Sequence, residues 1–249
     1  MTGNVVLWDF DGTLAFRDGM WRGCLVEALT EVTPGHGVTR ADLAPGLRDG
    51  FPWHRPETGH PALNTPEDWW DALHPLFVKA YVDAGVAAEP AARAARGVRA
   101  RYTDATRWTV FPDTAAALAE LSAAGWRHVV VSNHVPELDG LLGDLGLAGH
   151  FATVVNSSLI GWEKPNRRIF ETALDLAGRP ERVWMVGDNP VADIAGAQAL
   201  GIPALLVDPA RDGLRAAVRR ILDGDVDSMR TPWPPTTGTG LPENSPEGL

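Results

Sequence analysis

Short apolar runs at about 4–9, 127–132, 152–156, 183–187 and 203–207 are bounded by Gly, Pro, Asn and Asp and read as strands. Between and after them, segments at about 113–124, 135–145, 166–178, 190–200 and 211–222 carry apolar residues at helical spacing. Strand and helix in alternation predict an α/β fold, a Rossmann-like, doubly wound parallel sheet with helices on both faces. Pro112, Asp113 and Thr114 open one of the helices and Gly125 closes it. From Leu14 to about Trp108 the alternation stops, and the stretches near 19–32, 66–84 and 88–104 show only helical spacing of Leu, Val, Ala and Trp. The pattern predicts a core domain made of residues 1–16 and 108–222, interrupted by a helical domain over 17–107. The last segment, 223–249, is rich in Pro with Thr, Gly, Ser and Glu, and is expected to be disordered or loosely attached.

In an open parallel sheet, ligands bind beyond the carboxyl ends of the strands, where Asp9, Ser132 and Asp188 all fall. The first strand delivers Asp9 and Asp11 two positions apart, so both side chains leave the same face. At an effective dielectric near 20, carboxylates ~4 Å apart repel by roughly 4 kcal/mol, which asks for a cation, a proton or both. The alternative for this spot is an Asp-Gly turn after an ordinary strand. Three later segments argue against that alternative. Trp126 to Asn133 is an apolar run ending in a hydroxyl and an amide, and Gly161-Trp162-Glu163-Lys164-Pro165 places a lysine in a loop. Val183 to Asp193 ends an apolar run in Gly187-Asp188 and adds a second Asp five residues on. Of the 22 basic residues only Lys79 and Lys164 are lysine, so an ammonium at 164 is a specific choice of a compact point charge.

These four segments, in this order over about residues 4 to 210, resemble the four motifs of the haloacid dehalogenase superfamily, most of whose members are Mg-dependent phosphatases. The resemblance implies that Asp9 is a nucleophile forming an aspartyl-phosphate and that Asp11 is the acid and base. Ser132, the Asn133 backbone amide and Lys164 are then the phosphate-binding groups. Mg²⁺ is expected on the carboxylates of Asp9 and Asp188 and the backbone carbonyl of Asp11, with Asp193 orienting a metal-bound water or Lys164. The insertion after the first motif is expected to be a cap that closes over the site and sets specificity. Within it, Trp53, His54 and Arg55 are candidates for contacting the leaving group; a loop packing its own aromatic side chains is the plainer reading. A 2-haloacid dehalogenase lacks the second acid and the metal, and a phosphonate-cleaving member needs a cap lysine, for which only Lys79 is available. A sugar phosphomutase shares every core residue, and a catalytically inactive interaction module is the alternative from a different class.

Composition narrows the partners. A chain of 249 residues with 45% apolar content can bury a full core. A net charge of −10 and a pI near 5.1 argue against nucleic-acid or anionic-membrane partners. The ligand that the resemblance implies is a small phosphorylated molecule. Cys24 is the single cysteine, sits in a helix-like apolar run and reads as buried core in a reducing compartment. No run of 18 apolar residues is present, and the first strand begins at Asn4, so the expected location is cytoplasmic. Oligomeric state is left open.

Overall fold

The computed structural model describes residues 3–63, 65–211 and 213–224. Its strands are β1 (Asn4–Trp8), β2 (Ala15–Arg17), β3 (Trp108–Val110), β4 (Trp126–Ser132), β5 (Phe151–Asn156), β6 (Arg182–Gly187) and β7 (Ala204–Leu206). The helices of the insertion are α1 (Met20–Val32), α2 (Arg40–Leu43), α3 (Pro66–Asp83) and α4 (Ala88–Tyr102). Those of the core are α5 (Thr114–Ala123), α6 (Leu138–Asp144), α7 (Ser157–Ile160), α8 (Arg167–Leu176), α9 (Gly196–Gln198) and α10 (Gly213–Asp223). All five expected strands form one parallel sheet in the order β5-β4-β1-β6-β7.

β1 is central, with Trp8 beside Val130 of β4 and Val186 of β6. The strand order runs outward from β1 in both directions, so the crevice at its carboxyl end is the topological switch point. Side chains alternate across the sheet. Val5, Leu7, Val129, Val131 and Met185 pack with Ile169 and Phe170 of α8. Val6, Trp8, Val130, Trp184 and Val186 face the other way, toward Leu118 and Leu121 of α5 and Leu214 and Val218 of α10. Both faces are therefore covered, as runs of apolar residues in parallel strands require.

Two features were not legible as elements. Ala15–Arg17 and Trp108–Val110 pair as an antiparallel hairpin, Ala15 opposite Val110 and Arg17 opposite Trp108, through which the chain enters and leaves the cap. The expected helix at 190–200 is instead a π-helical turn, Pro190–Ala195, followed by the short α9. Asn189 opens that turn by accepting from the backbone N–H groups of Val191 and Ala192 at 2.9 Å. Such wide turns recur at functional sites.

The cap is held by aromatic residues. Trp21 of α1 stacks on Tyr102 of α4 at 4.0 Å, and Trp69, Trp70 and Phe77 of α3 pack around the same ring. This cluster is continuous with the α5 side of the core. Cys24 is buried and donates to the Val98 carbonyl at 3.4 Å, and burial pushes its thiol up to about 12, so it is an inert core group. Among the described residues no helix is long and apolar enough to cross a membrane. The Pro-rich segment expected to be disordered lies outside the described residues, apart from its first two positions, where Asp223 ends α10 and Gly224 follows.

Candidate active site

β1 ends in a tight turn that presents Asp9 and Asp11, both 2% exposed. Gly12 has φ of 76°, and a Cβ built there would meet Asp188 Oδ2 at 2.2 Å. Glycine at this position therefore lets the turn after β1 approach the carboxylate delivered by β6. Asp9 Oδ1 accepts from Ser132 Oγ at the end of β4 at 3.0 Å, and from Lys164 Nζ at 2.7 Å. The same ammonium donates to Asp193 Oδ1 at 2.6 Å, while the Asn189 backbone N–H holds Asp193 Oδ2 at 3.0 Å. Thr13 Oγ1 lies 3.5 Å from Asp188 Oδ1. The structure thus gathers Asp9, Asp11, Ser132, Lys164, Asp188 and Asp193 at the switch point, from segments up to 184 residues apart by number, Asp9 to Asp193.

Asn133 does something the sequence did not show. Its side-chain oxygen accepts from the Lys164 backbone N–H at 2.6 Å and its amide donates to the Lys164 carbonyl at 3.0 Å. Both backbone groups of the lysine are thereby tied to the end of β4, and the ammonium is aimed by a clamp on its own main chain.

Charge in the site is unbalanced. Burial is the largest influence pushing Asp11 well above the usual carboxylate range, followed by the charges of Asp9 and Asp188. Asp188 is pushed up to about 8, first by burial and then by Asp9 and Asp193. Asp193 is driven upward by burial and by Asp9 and held back by the ammonium on it. At Lys164 burial works against the charge, but Asp193 and Asp9 outweigh it and keep the ammonium above its usual range. A hard divalent cation fits this set, since oxygens of Asp9, Asp188 and Asp193 lie within 4.8 Å of one another and, among the described residues, the Lys164 ammonium is the one cation bonded to them. Asp193 has both oxygens engaged, by Lys164 and by Asn189, which leaves Asp9 and Asp188 as the carboxylates open to the ion.

The cap reaches the site at two places. Tyr102 at the end of α4 donates to Asp11 Oδ2 at 3.4 Å. The loop before α3 lies on the lysine loop: His60 Nε2 contacts Glu163 Oε1 at 2.8 Å, its backbone N–H donates to the Gly161 carbonyl at 2.9 Å, and Asn166 Nδ2 donates to the Pro56 carbonyl at 2.9 Å. On the other side, Glu137 at the start of α6 accepts from Trp70 Nε1 at 3.1 Å and from Arg99 Nε at 2.7 Å. Trp53 is buried and stacks on Phe51 at 4.5 Å, Arg55 is exposed and pairs with Asp49 at 2.9 Å, and His54 lies 3.9 Å from the same carboxylate. The sequence marked this loop, but its contacts with the lysine loop are made by Pro56, Gly59 and His60 rather than by Trp53, His54 or Arg55.

Fold and site together define a capped, doubly wound α/β enzyme with a carboxylate and lysine centre at its switch point. The chain belongs to the haloacid dehalogenase-like hydrolases, whose family model matches residues 4–201. Human haloacid dehalogenase-like hydrolase domain-containing protein 3 is 32% identical over 210 residues, 82% of this chain and 81% of that protein. A phosphoserine phosphatase of Thermus thermophilus is 38% identical over 136 residues, 53% of each chain. Among solved structures, a HAD phosphatase from Thermococcus onnurineus shares the fold with a TM-score of 0.61 at 22% identity, over 89% of this chain and 98% of that one.

Proposed function

We propose that this hydrolase is a Mg²⁺-dependent phosphatase that cleaves a small phosphorylated metabolite through an aspartyl-phosphate on Asp9. The observation that carries the reading is the shared Asp9 oxygen, bonded by both Ser132 and Lys164, with Asp11 two residues on and Asp188 across the turn. The Thermus relative, named as a phosphatase, supports the same class of reaction.

Asp9 attacks phosphorus in line, the new P–O bond forming as the bond to the leaving oxygen breaks. Asp11, kept protonated by its burial and by its anionic neighbours, gives its proton to that oxygen. It then takes a proton from the water that attacks the phosphorylated Asp9, releasing phosphate and restoring the carboxylate. Ser132 Oγ, the Asn133 backbone N–H and Lys164 Nζ bind the equatorial oxygens, and Asp193 holds the ammonium in place. The carboxylates of Asp9 and Asp188 and the backbone carbonyl of Asp11 would hold Mg²⁺, whose chemistry is to offset repulsion between an anionic nucleophile and an anionic substrate. The loop carrying Trp53, His54 and Arg55 belongs to the cap that shuts water out. Buried, reduced Cys24 fits a cytoplasmic enzyme.

The test is phosphate release from p-nitrophenyl phosphate with and without Mg²⁺. Wild type is expected to require the metal, and Asp9→Asn to lose turnover by at least about 10³-fold. Turnover retained in that variant removes the nucleophile assignment. Isomerisation of a sugar phosphate dependent on a bisphosphate activator identifies a mutase instead, and no reaction at all an interaction module.

A further inference from the structure

His134 takes no part in the chemistry above, yet its side chain is fully buried beside the acid–base group. Phe10, Tyr102 and Trp108 box its ring, with centroids at 5.4, 5.8 and 5.7 Å, which holds the ring in place. Nδ1 lies 3.2 Å from the Val135 carbonyl, a group that only accepts, so Nδ1 carries the ring hydrogen and Nε2 presents a bare lone pair. Across from it, Asp11 Oδ1 lies at 3.7 Å, too far for a hydrogen bond. Both atoms are buried and have no hydrogen-bond partner. Buried polar atoms left in this state are costly, and two of them facing each other beside a catalytic carboxyl mark a place for a ligand atom.

Among the described residues, the Lys164 ammonium favours the charged form of Asp11 and the Arg17 guanidinium that of Tyr102. Lys164 is bonded to Asp9 and Asp193, and Arg17 to Glu27 at 2.6 Å. An anionic group on the leaving side would meet the imidazole lone pair, with the nearby ammonium and guanidinium already engaged by carboxylates. A hydroxyl would meet an acceptor. The leaving oxygen must sit at Asp11 to receive its proton, and a hydroxyl on the neighbouring carbon stands about 3 Å from that oxygen, the span of a hydrogen bond.

We propose that the substrate is the phosphomonoester of a neutral polyol or sugar, and that His134 Nε2 accepts a hydrogen bond from the hydroxyl next to the ester carbon. The proposal rests on the phosphatase reading and assigns its leaving-group subsite. His134 is then a specificity-determining residue, and Tyr102 is the cap group that closes the subsite from the opposite side of Asp11.

Phosphate release is measured from glycerol 1-phosphate, n-propyl phosphate and 3-phosphoglycerate, with p-nitrophenyl phosphate reporting the chemistry itself. For wild type, kcat/KM for glycerol 1-phosphate is expected to exceed that for each of the other two by about 100-fold, because a buried acceptor discriminates strongly against a substrate that lacks the donor or adds an anion. In His134→Phe the ratio of glycerol 1-phosphate to n-propyl phosphate is expected to fall to within about threefold. A wild-type ratio below about threefold, a preference for 3-phosphoglycerate, or an unchanged ratio in a variant that still cleaves p-nitrophenyl phosphate overturns the assignment and leaves the phosphatase reading intact. Should His134→Phe fail to fold, the wild-type ratios decide alone. Failure of wild type on all four esters sinks the phosphatase reading, and this assignment with it.

Discussion

At the scale of single residues, Asp188 is the proposed metal ligand whose proton competes with the ion. Its carboxyl stands about 8 against an ordinary 3.8, because burial, Asp9 and Asp193 all oppose its charge. A folded-state value above the unfolded one means that the folded protein holds the extra proton. Without metal, stability from this group is therefore lost as pH rises toward about 8. A cation on Asp188 must displace that proton, so its affinity runs the other way and strengthens with pH, by up to tenfold or about 1.4 kcal/mol per unit. His134 does not confuse the window from about pH 7 to about pH 8.5. Burial pulls its imidazole down to about 4 from 6.5, so the stability it contributes is lost only as pH falls below the unfolded value. Thermal unfolding with and without Mg²⁺ at the two ends of that window is expected to show a larger stabilisation by Mg²⁺ at the upper end. An equal shift at both ends contradicts the placing of the metal on Asp188.

At the scale of elements, the clamp between the end of β4 and the lysine loop is the connection most open to test. Asn133 bonds both backbone groups of Lys164, so Asn133→Ala leaves the ammonium present but its main chain untethered, with a buried N–H and carbonyl unpaired. Kcat is expected to fall about 10–100-fold, with a stability loss of about 1–3 kcal/mol. An unchanged kcat in a folded variant means that Asp9 and Asp193 alone fix the ammonium. This clamp is illegible in the chain because the motif points to the backbone amide of Asn133, while its side chain acts across 31 residues. What was legible followed from period and punctuation: the five strands, the three long cap helices and the carboxylates at strand ends. The β2–β3 hairpin escaped because three residues a side give too little alternation to see. The π-helical turn after Asn189 escaped because its apolar spacing is that of any helix, while its geometry follows from Asn189 capping and from Asp193 turning back to Lys164. Tyr102 and His134 escaped for a third reason: nothing in a sequence says which residue at the end of a cap helix, or which core residue just past β4, comes to face Asp11.

At the scale of the whole molecule, closure is held by two latches that land on different parts of the core. His60 bonds Glu163 beside Lys164, and Gly59 packs so close to Trp162 that a Cβ there would sit 2.6 Å from the ring. Trp70 and Arg99 bond Glu137 on α6. Since Tyr102 stands over Asp11, substrate is expected to reach the carboxylates only when the cap moves, with the latches setting the equilibrium between closed and open states. Each latch is worth about 1–2 kcal/mol as a hydrogen-bonded contact. If the closed state is favoured by more than one latch supplies, losing either leaves it dominant, and only losing both lets the open state take over. His60→Ala and Glu137→Ala are therefore each expected to raise KM by less than about threefold, and the double variant by about tenfold or more, exceeding the product of the single effects. Hydrogen exchange over residues 56–61 is expected to follow the same order, with protection kept in Glu137→Ala and lost in the double variant. Double-variant effects equal to the product of the singles would show two local contacts with no shared motion, and the cap would then have to be regarded as a fixed wall.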